Sequence, residues 1–125
     1  MNKTNNKNDF LEDDLEFKKT LMQYFLKTCG DRMSEIYKSI DEGNINNAHR
    51  LAHTIKGNAA QLGKPNLQKA ATDVESGLKN GKNGVTKEQL KNLENELNAV
   101  LIDLKKIEQE AAVNGADDNS LTPNN

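Results

Sequence analysis

Residues 45–63 read INNAHRLAHTIKGNAAQLG, and the spacing of their apolar side chains settles the local geometry. Ala48, Leu51, Ala52, Ile55, Ala59 and Leu62 recur at intervals of three and four, which gathers them on one face of an α-helix. Asn44 stands where a side-chain oxygen can cap the first turn. Gly63 and Pro65 mark the end of this helix and the start of the next.

The same periodicity continues on both sides, and β-branched alternation is absent. Upstream, a helix over residues 10–28 carries Leu15, Leu21, Met22, Phe25 and Leu26 and closes at Gly30, and a second from Asp31 presents Met33, Ile36, Tyr37 and Ile40 before Gly43. Downstream, Leu67, Ala70, Ala71, Val74 and Leu78 line a fourth helix that a glycine-rich turn at 81–84 must end. Thr86 and Gln89 then form a T-x-x-Q capping box ahead of Leu90, Leu93, Leu97, Val100, Leu101, Leu104 and Ile107. Five helices with tight turns predict an all-α fold, an antiparallel up-and-down four-helix bundle with an additional N-terminal helix.

Composition bounds the rest. With 125 residues and 34% hydrophobic content the chain supports one core. Residues 1–8 and 114–125 are rich in Asn, Asp and Lys and poor in apolar side chains, so disordered tails are expected there, flanking a bundle over 9–113. The 17 basic and 19 acidic residues nearly cancel, which argues against a dedicated nucleic-acid binder. No apolar run is long enough to cross a bilayer and the N-terminus lacks the apolar core of a signal peptide, so a cytoplasmic protein without membrane contact is expected. The single Cys29 cannot close an intramolecular disulfide and reads as a small, semi-buried packing residue.

On the helix of residues 45–62, His49, His53, Lys56, Gly57 and Ala60 cluster within roughly 100° of one another, about 130° from the apolar stripe. A surface histidine by itself is usually only solvated, as is a surface lysine. Gly57 is harder to set aside, because a glycine in a helix interior costs about 1 kcal/mol relative to alanine. Since it points with His53 and away from the core, the bare backbone there suits the close approach of another protein's loop better than internal packing. Lys56, three residues from His53, can place an ammonium beside an anion held on the ring.

The string AHRLAHTIKGNAAQLG, followed by LQKAATDVE, resembles the signature of the histidine-containing phosphotransfer domain family. The likeness rests on HTIKG at 53–57, the small residues Ala59 and Ala60, Leu62 with Gly63, and the acidic Glu75; it covers residues 48–78, and the remaining helices match only in outline. The resemblance implies that His53 is the phosphorylated residue, that Lys56 supports the phosphoryl group, and that Gly57 leaves room for a docking receiver domain. It also implies that Glu75 orients the ring from the adjacent helix, against the plain reading of a surface glutamate. His49, Ala60 and Gln61 fall beside these residues as further candidates for docking. A second imidazole at His49 and the sharp break at Pro65 depart from the family pattern without touching its core motif.

A carrier of this kind needs only an exposed nucleophile, because positioning and charge stabilisation come from the partner. The chain shows no Walker-type phosphate loop and no acidic pair framed for Mg²⁺. It is therefore expected to bind no cofactor, to have no kinase activity, and to act as a monomer that shuttles phosphate between the receiver aspartate of a hybrid sensor kinase and that of a response regulator, with Mg²⁺ in the partner. Three rivals stay open. His49 and His53 have the i, i+4 spacing of a helical metal pair, although Arg50 stands where the zincin pattern needs Glu. The bundle could be purely structural or an adaptor, or a detached phospho-accepting domain that a kinase loads directly from ATP.

Overall fold

The computed structural model describes the backbone of residues 2–121 and the side chains of residues 15–110. Its elements are α1 (Asn2–Thr28), α2 (Arg32–Asp41), α3 (Ile45–Leu62), α4 (Pro65–Gly77), a 3-10 turn (Lys79–Gly81) and α5 (Lys87–Leu121), with no strand among the described residues. The fold is all-helical, as the apolar spacing requires.

The boundaries of α3 are those the sequence dictates. The Asn44 side chain accepts a hydrogen bond from the Asn47 amide at 3.2 Å, taking up one of the amides that a helix start leaves unpaired. At the other end Gly63 adopts a left-handed φ of 70°, and the amides of Gly63 and Lys64 close on the carbonyls of Ala60 and Ala59. The capping box of α5 is reciprocal: the Thr86 amide donates to Gln89 Oε1 and the Gln89 amide to Thr86 Oγ1, each at 3.0 Å.

The outer helices differ from expectation. Helix α1 begins at Asn2 rather than at residue 10, and α5 continues to Leu121 rather than ending at 113, so backbone helix covers most of the stretches expected to be disordered tails. Composition gauges how much apolar surface a segment can bury, whereas helix continuation depends on the absence of breakers. Residues 2–28 contain neither glycine nor proline, and after Lys87 the first proline is Pro123. Met1 and residues 122–125, the outermost parts of the expected tails, lie outside the described residues.

Helix α3 is the centre of the fold, packed against α2, α4, the 3-10 turn and α1. Its Ala48, Ala52, Ile55 and Ala59 are fully buried, and α4, the helix it touches most extensively, brings Leu67, Ala70, Ala71 and Val74 to the same core. Alanines on both helices let the two axes approach closely, since interaxial distance follows the size of the side chains between them. From α5, Leu93, Leu97 and Leu104 complete the interior, and Tyr37 of α2 donates to Glu94 Oε1 of α5 at 3.1 Å. Two residues expected on the core face are exposed: Leu15, at 66%, and Ile107, at 42%. Both line one open groove with Met22 and Leu26 of α1. Leu21, Met22 and Leu26 are half-buried, while Phe25 and Cys29 are wholly enclosed, so the cysteine is more deeply placed than a semi-buried residue. Burial pushes its thiol pKa up.

The turn between α4 and α5 depends on a glycine with no place in the apolar pattern. A Cβ on Gly77 would sit 2.8 Å from Val85 Cα, and the Gly84 amide donates to the Gly77 carbonyl at 2.6 Å. The obstacle is backbone, which cannot swing aside. Gly77→Ala is expected to destabilise the protein by about 1–3 kcal/mol, read as a lower urea midpoint with an unchanged m-value. A wild-type midpoint would show that this turn is not tightly packed.

Candidate functional site

The site is built between α3 and α4, the two helices in most extensive contact. Glu75, on the third turn of α4 and one turn beyond the buried Ala71, extends across the flank of α3 with only 12% of its side chain exposed. Its Oε2 lies 2.6 Å from His53 Nδ1 and its Oε1 accepts from Lys56 Nζ at 2.7 Å. His49 Nε2 stands 3.9 Å from the same Oε2 that meets His53. One carboxylate thus gathers three of the residues that the sequence placed on one strip.

The electrostatics fix which way the His53 ring is used. Burial pushes the Glu75 carboxyl up, but hydrogen bonds from Lys56 and His53, reinforced by their charges, outweigh it and hold the group below the ordinary glutamate value of 4.5. Glu75 is therefore ionised at neutral pH, and a carboxylate can only accept. The 2.6 Å contact then requires the proton on His53 Nδ1, which in the neutral ring leaves the lone pair on Nε2. The His53 side chain is 63% exposed, so the ring is anchored on one edge and open to solvent.

Gly57, Ala60 and Gln61 are exposed beside it. A Cβ built on Gly57 meets nothing within 4 Å, so no contact inside the chain demands a glycine there. The helix carries that glycine's conformational cost without any packing return. Lys56, read from sequence as an ammonium available to an anion on the ring, rests on Glu75. His49, grouped from sequence with the docking candidates, is two-thirds covered and faces the carboxylate. Both features depend on the rotation of α4 about its axis relative to α3, which periodicity within either helix cannot supply. Among the described residues, no group of three or more His, Cys, Asp or Glu is arranged to hold a metal ion. No helix described is long and apolar enough to cross a membrane.

A protein-family model described as Hpt domain matches residues 20–118 of the 125. The match takes in α2, α3 and α4 entirely, and with them every residue of the site. Comparison with curated proteins and with solved structures gives no significant match.

Two outcomes follow from this geometry. Gly57→Ala is expected to stabilise the isolated protein by about 0.5–1 kcal/mol in urea unfolding; a loss of stability would reveal an internal constraint at that position. Because the folded pKa of Glu75 lies below its unfolded value, its contribution is present above about pH 4.5 and fades as acid titrates the group. Stability measured from about pH 6 to pH 3 should thus fall less steeply for Glu75→Gln than for the parent chain, and parallel curves would contradict the assignment.

Proposed function

Since the chain belongs to the Hpt domain family, whose members carry phosphoryl groups in His–Asp phosphorelays and interact with receiver domains, we propose that His53 is its phosphoryl acceptor, exchanging phosphate between the aspartates of a hybrid sensor kinase's receiver and a response regulator's. The observation that carries this reading is the outward ring held by its Nδ1 edge on Glu75, at 2.6 Å, with the other nitrogen free to react.

In the step itself the Nε2 lone pair forms a bond to phosphorus while the bond from phosphorus to the aspartyl oxygen breaks, and the aspartate departs as a carboxylate. The proton on Nδ1 stays in its hydrogen bond. Glu75 offsets the positive charge that develops on the ring, an arrangement set before the partner arrives and therefore requiring little reorganisation. Lys56 is one turn away on the same face, close enough to turn its ammonium from Glu75 toward the incoming phosphoryl oxygens. The bare backbone at Gly57 and the short side chain of Ala60 admit the rim of the partner's active site, with Gln61 and His49 at the edge of the same contact.

Phosphoryl transfer is governed by positioning and charge, so a chain of this kind supplies the nucleophile and borrows the rest. Mg²⁺ belongs to the receiver in this scheme, and the chain works without a cofactor, as a cytoplasmic monomer. The same reading takes α2 to α5 as an antiparallel up-and-down four-helix bundle with α1 as the additional helix; the short turns and the contacts of α2 with α3, α3 with α4 and α4 with α5 support it.

Incubation with a phosphorylated receiver domain tests the proposal. Label should appear on the chain in an acid-labile, base-stable form, disappear in His53→Gln with helicity retained, and persist in His49→Ala. Label retained by His53→Gln would overturn the assignment.

A further inference from the structure

Three nitrogens surround the Glu75 carboxylate, and only two of them are bonded to it. His53 Nδ1 and Lys56 Nζ lie at 2.6 and 2.7 Å, whereas His49 Nε2, at 3.9 Å, is too far for a hydrogen bond and about 1 Å short of one. The inequality has a consequence once His53 is loaded. A phosphoryl group brings close to two negative charges to the ring, and Lys56, on the same face, is the cation positioned to answer them. Its ammonium is already committed to Oε1. As it turns outward it leaves behind a carboxylate only 12% exposed, for which losing a charged partner is costly.

The groups around His49 show what can replace it. Glu75 is the carboxylate within ion-pair reach of His49 among the described residues. On its own helix stand His53 and Lys56, both turned to Glu75, and Arg50, whose guanidinium donates to Asn47 Oδ1 at 2.8 Å. Helices α1 and α2 and the 3-10 turn also pack on α3, and none of their described carboxylates pairs with His49. The second imidazole thus has one acidic group to serve, and that group is the one Lys56 would vacate.

Resting on the reading of His53 as acceptor, we propose that phosphorylation of His53 hands the Glu75 carboxylate from Lys56 to His49, which closes onto it and takes up a proton. His49 is then a positioning residue: it keeps Glu75 neutralised and in place against His53 Nδ1 while Lys56 attends to the phosphoryl group. In the loading step the N–P bond forms at Nε2 as the bond from phosphorus to the donor's leaving group breaks; the proton gained by His49 comes from solvent.

The test uses the full chain, loaded with potassium phosphoramidate, whose leaving group is ammonia, and follows the histidine ring signals by NMR as pH is varied. The His49 titration midpoint should rise by about half a unit or more on loading. That rise should vanish in Glu75→Gln, where the added phosphate is still present but the carboxylate is not. In Lys56→Met the midpoint should already be raised before loading. A midpoint that does not move on loading, or a rise that survives intact in Glu75→Gln, overturns the hand-over. Failure of His53 to take the phosphoryl group would instead sink the acceptor assignment, and the unloaded Lys56→Met chain, compared with the parent, would still decide whether His49 answers a vacated Glu75.

Discussion

One carboxylate organises the functional face of this protein. Glu75 is the point at which α4 reaches across to α3, and the orientation of the His53 ring, the location of its proton and the resting place of Lys56 all follow from two short contacts to its oxygens. A charge so poorly exposed is tolerable only because it is paired twice over. The pairing also makes the imidazole reactive in a defined sense: a ring fixed by its Nδ1 proton presents a single nucleophilic nitrogen, in one direction.

Two glycines stand in contrast. Gly77 is held by Val85 backbone at a distance no side chain could share, and it serves the fold. Gly57 has open space around the position of a Cβ and serves nothing inside the molecule. On the proposed reading, a residue that lowers helix stability without packing return accommodates a surface that arrives from outside.

Much of this was legible before any coordinates. The limits of α3, the Asn44 cap, the reciprocal Thr86 and Gln89 box and the exposed strip of His53, Gly57 and Ala60 are properties of one segment at a time, and local periodicity reports them well. What it could not report depends on how segments meet. The burial of Cys29, the pairing of Lys56 with Glu75, the turn of His49 toward the same oxygen and the tight contact at Gly77 are set by the rotation and spacing of neighbouring helices. The helical extent of α1 from Asn2 and of α5 to Leu121 exceeds what the polarity of those stretches suggests, because a helix stops at breakers. Leu15 and Ile107, apolar and in phase, stay exposed on an open groove that they line together with Met22 and Leu26.

The alanines buried along α3 and α4 carry an implication of their own. They set the gap between the two helices, and the gap sets whether a glutamate side chain, with only three rotatable bonds, can span it. A bulkier residue at Ala52 or Ala71 would act as a spacer, prising the helices apart by a fraction of a side chain. Such a protein could remain folded and helical while its histidine, unmoored from the far helix, spun freely. On the proposed reading of His53, loss of phosphotransfer can therefore originate in the deepest and least polar layer of the molecule, at positions remote from the exposed strip.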